Sequence, residues 1–152
     1  MKKAVLVDVD GTLVSLTEFD YSIFNASKEE VDSYLKVWDE RTMDAVVYEE
    51  GVKMLIEFKE MGYALVVVTA RGQNCKKYTM KKFKEMGIDK LIDSVWHRPK
   101  VWEGRPSALY KEWMIKKLSK KWAFEWAMED EEKNMEVMKK AGMKVLDAKV
   151  WW

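Results

Sequence analysis

The chain has 152 residues, 48% of them hydrophobic and 35% charged, and its formal net charge is +1 at pH 7. This length predicts a single domain over residues 1–152, and the apolar content excludes a disordered chain. The balanced charge excludes a general affinity for polyanions, so any such affinity has to come from local basic patches. The one cysteine, Cys75, cannot form an intramolecular disulfide, which fits a reducing compartment or indifference to redox state. We expect a cytoplasmic location.

The apolar runs of the chain do not fit membrane segments. Lys2 and Lys3 precede the first run, but Asp8 interrupts it too early for a signal peptide. Another run, Ala64–Val68, is far too short to cross a bilayer. We therefore expect no association with a membrane.

The first strand and its following turn contain the most informative residues. The apolar run Ala4–Val7 predicts a buried strand, and Asp8 and Asp10 follow it with one residue between them. Gly11 then permits a sharp backbone turn. Carboxylates at the end of a buried strand are costly unless a cation compensates their charge, and Mg²⁺ prefers such oxygen ligands. The alternative is a metal-free turn with both acids in water.

Residues 16–46 form an irregular stretch with one clear helical pattern. Ser27 and Glu30 have the spacing of a capping box, and apolar residues continue at helical intervals to Trp38. The segment is too short to be a large closing domain. Two interpretations stay open, namely a small cap inserted over the Asp8 site and a helix packed on the surface.

A second polar cluster follows a second buried strand. A helical pattern ends at Gly62, and the apolar run Tyr63–Val68 then predicts a parallel strand. Thr69, Ala70 and Arg71 come directly after it. Because ligands of open α/β sheets bind at the carboxyl ends of strands, this cluster is a candidate ligand site, and Arg71 has the side chain for a bidentate contact with an anion. Alternatively, Thr69 caps the next helix and Arg71 is a solvated loop charge.

The middle of the chain supplies lysines and a third strand. The helical pattern over residues 73–86 is rich in lysine, which is more typical of a solvated face than of a phosphate-binding one. Leu91–Trp96 predicts the third strand, and His97 has no histidine or cysteine at metal-binding spacing. We expect Ser107 to cap the next helix, which contains Lys111.

The fourth strand ends in an acidic cluster. The pattern over Trp122–Met128 predicts this strand and offers no explanation for Glu125 inside it. Glu129 and Asp130 follow directly, and Asn134 lies further along the chain. The ends of three predicted strands thus carry polar residues, and we expect these residues to lie close together at one edge of the sheet.

A helix, a strand and an apolar tail close the sequence. The helix extends to Lys140, and the strand covers Met143–Leu146. For the tail, Trp151-Trp152, packing on the body of the protein and association with another chain both stay open.

These clusters occur in the order of the four motifs of the haloacid dehalogenase-like (HAD) phosphohydrolases, which the chain resembles over nearly its whole length. Motif III of that family is a lysine or arginine near the start of a helix, and we prefer Lys111 to Lys100 because a helical pattern follows it. The matching residues are Asp8, Asp10, Gly11 and Thr12 for motif I, Thr69 for motif II, Lys111 for motif III, and Glu129 with Asp130 for motif IV.

The resemblance implies a fold. It is an α/β, HAD-like Rossmannoid fold, a three-layer sandwich around a five-stranded parallel sheet in the order 3-2-1-4-5. It also implies that residues 16–46 form a small helical cap within the single domain.

The resemblance further implies a Mg²⁺-dependent mechanism. Asp8 attacks phosphorus and forms an aspartyl-phosphate, while Asp10 protonates the leaving group and then activates water. The implied catalytic residues are Asp8, Asp10, Thr69 and Lys111; the phosphate-binding residues are Thr69, Ala70, Arg71 and Lys111; the Mg²⁺ ligands are Asp8, Asp10 through its carbonyl, and Asp130, with Glu129 or Asn134 assisting.

The substrate is open to more than one interpretation. An arginine two residues after motif II, here Arg71, resembles the polynucleotide 3′-phosphatase branch of the family, which implies nucleic-acid ends as substrate. Glu129 departs from the Asp pair of that branch and resembles sugar-phosphate phosphatases. The alternatives are a phosphatase of small sugar or nucleotide phosphates and a non-catalytic binding module, and the presence of both Asp8 and Asp10 argues against the module.

Overall fold

The structure, a computed structural model, describes residues 1–152 as five parallel strands with helices on both faces of the sheet. The strand order is 3-2-1-4-5, which confirms the predicted fold class and topology. The strands are β1 (Lys2–Val7), β2 (Ala64–Gly72), β3 (Ser94–Arg98), β4 (Trp122–Glu129) and β5 (Lys144–Asp147).

Five helices cover the sheet and its carboxyl edge. None of them combines the length and the apolar character that crossing a membrane requires. The helices are α1 (Lys28–Arg41), α2 (Glu49–Glu60), α3 (Lys76–Glu85), α4 (Ser107–Leu118) and α5 (Glu132–Lys140).

The central strand β1 separates two hydrophobic cores because successive side chains point to opposite faces. Ala4 and Leu6 pack with residues of α4 and α5, while Val5 and Val7 pack with residues of α2 and α3. These four of the six β1 side chains are buried. Burial on both faces explains the continuous apolar run, and the parallel arrangement brings the strand carboxyl ends to one edge of the sheet.

A bulge in β4 explains the acidic residue inside that strand. Ala4 pairs with Phe124 and Val5 pairs with Trp126, so Glu125 has no partner on β1. Its carboxylate accepts a hydrogen bond of 3.0 Å from the Tyr63 hydroxyl. An unpaired residue in a bulge can direct a polar side chain away from the core. The Glu125 carboxylate therefore keeps a hydrogen-bond partner and is not buried among apolar side chains.

Three local predictions were wrong. The second strand does not end at Val68 but continues through Thr69, Ala70 and Arg71 to Gly72, with a shift in its register against β3 after Val68. The third strand begins at Ser94 rather than Leu91, because the Leu91 amide closes a turn onto the Ile88 carbonyl. Ser107 is the first residue of α4 rather than its cap, and Pro106 occupies the capping position without a side-chain bond. The fixed φ of proline suits a helix start, which frees the Ser107 hydroxyl for a contact described below.

Residues 16–46 lie above the carboxyl edge of the sheet. Ser27 caps α1 by accepting the Glu30 amide hydrogen, as the sequence predicted. The Phe19 ring contacts the rings of Tyr34 and Trp38, which are both on α1. This aromatic cluster fastens the irregular stretch before α1 to the helix.

Candidate active site

Acidic residues from two neighbouring strands meet at the carboxyl edge of the sheet. Asp8 follows β1, Glu129 ends β4, and Asp130 comes next in the chain. One carboxylate oxygen of each residue lies within 4.8 Å of the other two. The adjacency of β1 and β4 therefore creates a compact acidic cluster from residues far apart in sequence.

Lys111 from α4 inserts its ammonium group between two of these carboxylates. Its Nζ donates to Asp8 Oδ1 at 2.8 Å and to Glu129 Oε1 at 2.6 Å, with a side chain only 1% exposed. Burial opposes the charge of the ammonium, but the two carboxylates raise the pKa of Lys111 above its usual value. Lys100, the other candidate for this position, is exposed at the mouth of the pocket.

The cluster holds more negative charge than Lys111 compensates. Burial and the Glu129 carboxylate raise the pKa of Asp8 well above its ordinary value. Burial also raises the pKa of Asp130 to about 6. A hard divalent cation between Asp8 and Asp130 would relieve both effects, and carboxylate oxygens suit Mg²⁺. The donor set therefore fits this metal.

The remaining predicted metal ligands are bound to other groups. Both oxygens of Glu129 are used, one by Lys111 and the other by the backbone N–H groups of Asp130 and Glu131. The Asn134 side chain accepts a hydrogen bond from the Ser107 hydroxyl at 3.0 Å and donates one to Glu131. Their side chains make contacts that orient the loop after β4.

The carboxylate of Asp10 points away from the acidic cluster, toward Arg71. Arg71 Nε and Nη2 donate to its two oxygens at 2.9 and 2.7 Å, which is a bidentate ion pair. The guanidinium is 1% exposed and the Asp10 side chain is 21% exposed. Asp8 and Asp10 are therefore held by different cations, Lys111 and Arg71, on two sides of the same turn.

A buried network that the sequence analysis missed orients Arg71. Its Nη1 donates to the Thr79 hydroxyl at 3.1 Å, and that hydroxyl donates to the Cys75 carbonyl. His97 Nε2 lies 2.9 Å from the same hydroxyl oxygen. Because Thr79 has a single proton, His97 must also donate to it, which assigns the Nε2–H tautomer. Burial lowers the pKa of His97 to about 4, so the ring is neutral.

Two threonines fix the ends of β1 and β2. The Thr12 hydroxyl donates to Asp8 Oδ2 at 3.1 Å, so both Asp8 oxygens have partners. Thr69 is buried, and its hydroxyl oxygen accepts the Arg71 amide hydrogen at 3.1 Å. Ala70 and Arg71 line the pocket above the cluster.

The pocket over these residues has a volume of about 750 Å³. One wall is formed by residues before and within α1, and another by the end of β3 and the segment between β3 and α4. The first wall includes Leu16, Phe19, Tyr21 and Trp38, and the second includes Arg98, Lys100 and Arg105. The pocket thus has an aromatic wall and a basic wall above the acidic floor.

Comparison with protein-family models matches residues 19–148 to haloacid dehalogenase-like hydrolases. The chain belongs to this family. The matched region covers most of the chain but begins after Asp8 and Asp10. The assignment of these two residues to motif I therefore rests on the sequence pattern and on their positions at the end of β1. Family membership confirms the resemblance inferred from the sequence and the prediction of a hydrolase.

Solved structures share this HAD fold at low sequence identity. A chain of the Pnkp1/Rnl/Hen1 complex matches with a TM-score of 0.74 and 19% identity, over 97% of this chain and 46% of that one. This protein thus spans less than half of that chain. A HAD-like hydrolase from Streptococcus pneumoniae has a TM-score of 0.61 and 16% identity, with 96% and 84% of the two chains covered.

A protein described as a predicted phosphatase from Clostridium acetobutylicum matches with a TM-score of 0.67 and 15% identity, over 97% of this chain and 84% of that one. Comparison with curated protein sequences finds no match. At these identities the solved structures establish the shared fold. The family match establishes a haloacid dehalogenase-like hydrolase.

Proposed function

We propose that this HAD hydrolase cleaves phosphate monoesters in a Mg²⁺-dependent reaction through an aspartyl-phosphate intermediate. The observation that carries the proposal is the placement of Asp8 between Lys111 and Asp130 on the floor of the pocket. A carboxylate at this position faces bound substrate, with a fixed cation on one side and metal-binding oxygens on the other. This arrangement suits nucleophilic attack on a charged phosphoryl group.

In the proposed reaction an Asp8 oxygen forms a bond to phosphorus while the bond from phosphorus to the ester oxygen breaks. The departing oxygen takes a proton from Asp10 in its neutral form, so this carboxyl has to leave its bidentate pair with Arg71 and take up a proton before the step. Asp10 then accepts a proton from water as that water attacks the acyl phosphate, which restores Asp8 and releases phosphate. Mg²⁺, held by Asp8, Asp130 and the Asp10 carbonyl, would supply charge neutralisation for the phosphoryl oxygens.

Positive charge and hydrogen-bond donors surround the proposed position of the phosphoryl group. Lys111 keeps its charge because Asp8 and Glu129 stabilise it. Arg71 uses three of its five N–H donors in the bonds to Asp10 and Thr79, and its side chain is only 1% exposed, so a contact of the other two donors with phosphoryl oxygens requires the side chain to move toward the pocket. Thr69 and the backbone of Ala70 complete the proposed phosphate-binding set at the end of β2.

The two walls of the pocket favour a nucleic-acid end as the substrate. Aromatic faces stack on bases without sequence preference, and arginine and lysine pair with backbone phosphates. Tyr21 is 77% exposed on the aromatic wall, within a segment that we propose acts as a small cap. On the basic wall, the Arg105 guanidinium stacks over the Trp102 ring at 4.5 Å. The open pocket above Asp8 can accept a chain end.

The reaction is tested by Mg²⁺-dependent release of phosphate from p-nitrophenyl phosphate. We expect activity in the wild type, loss of at least about 10⁴-fold in Asp8→Asn, and wild-type activity in the control Asp32→Asn, which alters an exposed carboxylate on α1. An inactive wild type across Mg²⁺, Mn²⁺ and Co²⁺ would instead support a binding module.

The substrate class is tested by comparing 3′-phosphorylated oligonucleotides with mononucleotides and hexose phosphates. A preference for the oligonucleotide that weakens steeply with salt would support the nucleic-acid assignment. Equal or better turnover of hexose phosphates, with little salt dependence, would support the small-molecule alternative and leave the reaction class intact.

A further inference from the structure

The last residues of the chain make three hydrogen bonds to the backbone of the two acidic loops. Trp152 Nε1 donates to the Gly11 carbonyl at 2.7 Å, and Trp151 Nε1 donates to the Thr12 carbonyl at 2.9 Å. Lys149 Nζ donates to the Asp130 carbonyl at 2.9 Å. We call these three residues the tryptophan clamp. One short segment thus contacts the loop after β1 and the loop after β4.

The carbonyls that the clamp engages belong to residues that shape the acidic site. Thr12 donates through its hydroxyl to Asp8, so its backbone position sets one hydrogen bond to the proposed nucleophile. Gly11 has a φ of +80°, and a Cβ at this position would collide with the Asp130 carboxylate. The backbone of the first loop therefore packs directly against the side chain of the second.

We propose that the tryptophan clamp is a positioning device that holds Asp8 and Asp130 at the spacing needed to bind a divalent cation. The inference rests on the proposed function because the cation is part of it. Each indole ties the loop after β1 from outside the pocket, and Lys149 ties the loop after β4 from the same segment. The clamp residues do not contact the proposed substrate position; they act through the backbone that carries the two carboxylates.

The contacts favour this role over simple packing of an apolar tail. A tail held only by its apolar surface would bury its rings, but Trp152 is 56% exposed while its N–H group is directed at a carbonyl. Trp151 packs against the core and still directs its N–H group to the loop. Groups that orient metal ligands typically change metal affinity by about 10–100-fold when they are removed.

The test measures metal binding directly, without substrate. Mn²⁺, which takes the same carboxylate ligands as Mg²⁺, is titrated into wild type and into Trp151→Phe/Trp152→Phe, and free Mn²⁺ is followed by electron paramagnetic resonance. The double variant keeps aromatic rings and removes both N–H groups. Trp122→Phe is the matched control, because Trp122 is partly buried at the opposite end of β4. Thermal unfolding in chelator is recorded for each protein.

We expect the dissociation constant for Mn²⁺ to rise about tenfold in the double variant, with a folded protein at the assay temperature, and to stay unchanged in Trp122→Phe. The single variant Trp152→Phe alters a largely exposed ring, so it keeps the fold, and we expect a smaller rise. Unchanged Mn²⁺ affinity in the folded variants would contradict the proposed role of the tryptophan clamp. A wild type that does not bind Mn²⁺ would instead contradict the proposed metal site itself.

Discussion

The two sides of the pocket differ in how their residues are held. On the floor, Asp8, Lys111 and Glu129 are buried and every charged group has a partner. On the aromatic wall, Leu16 and Tyr21 are largely exposed and belong to an irregular segment. The floor is built by the ends of neighbouring strands, and the wall by a connection between elements. In the proposed function, the buried floor carries the reaction and the exposed wall selects the substrates that reach it.

The first prediction concerns the buried ion pairs of the floor. Replacing Lys111 with methionine leaves Asp8 and Glu129 without their shared cation, so we expect a loss of about 3–5 kcal/mol in the free energy of unfolding. Phosphatase activity should disappear with it. Urea denaturation at pH 7 measures the change in stability. Lys116→Met, on the exposed face of the same helix, should alter stability by less than about 0.5 kcal/mol.

If Lys111→Met matched the stability of the wild type, the ammonium would not be required to hold the two carboxylates together. The result would mean that the acidic cluster tolerates its own charge, and the role of Lys111 as its partial compensation would be wrong.

The second prediction concerns the support behind Arg71. His97 is neutral in the folded protein, with its pKa lowered to about 4 by burial. The unfolded chain takes up a proton on this ring below its ordinary pKa of about 6.5, so stability is lost as the pH falls from about 6.5 to 4. The shift corresponds to about 3 kcal/mol at pH 4. Stability curves of wild type and His97→Gln, recorded in chelator, measure it.

The comparison between the two proteins isolates the histidine because the raised pKa of Asp8 and of Asp130 acts in both. Those carboxylates work in the opposite direction, since they favour the folded state as the pH falls. We expect the free energy of unfolding of His97→Gln to rise relative to that of the wild type as the pH falls below about 6.5. Parallel curves would show that His97 is protonated without cost in the folded protein.

The third prediction concerns the aromatic wall. Tyr21→Ala removes an exposed ring and should raise KM for a 3′-phosphorylated oligonucleotide about tenfold, because one stacking contact contributes about 1–3 kcal/mol. The kcat/KM for p-nitrophenyl phosphate should not change. Tyr78→Ala, on α3 and outside the pocket, is the control. A uniform loss on both substrates would show that Tyr21 supports the floor rather than the substrate.

The fourth and smallest effect is a change in stability when Asp8 on the floor loses its charge. Burial disfavours the Asp8 carboxylate in the absence of a cation. We expect Asp8→Asn to be more stable than the wild type by about 1 kcal/mol in chelator. Thermal unfolding with and without Mg²⁺ measures this, and added Mg²⁺ should stabilise the wild type but not the variant. A variant less stable than the wild type in chelator would contradict the charge argument.

The sequence predicted the strand ends that form the candidate site because they depend on local patterns, whereas the sheet order followed from the resemblance to the HAD family. Continuous apolar runs identify parallel strands, and polar residues directly after them must lie at one edge. The position of Lys111 also followed from a local pattern, its place near the start of a helix.

The contacts that the sequence did not predict depend on residues far apart in the chain. The roles of Thr79 and His97 behind Arg71 require α3 and β3 to converge on the end of β2. The hydrogen bonds of Trp151 and Trp152 to the first loop join the two ends of the chain. Hydropathy patterns carry no information on such directed side-chain contacts, and these require the assembled structure.

The central claim is that Asp8 becomes covalently phosphorylated during turnover. The direct measurement is acid quenching of the enzyme within milliseconds of mixing with a phosphate monoester and Mg²⁺, followed by mass spectrometry of the peptide that contains Asp8. We expect phosphate on Asp8 in the wild type and none in Asp8→Asn. Steady release of phosphate by the wild type, with that peptide unmodified at every quench time and with an active Asp8→Asn variant, would contradict the account.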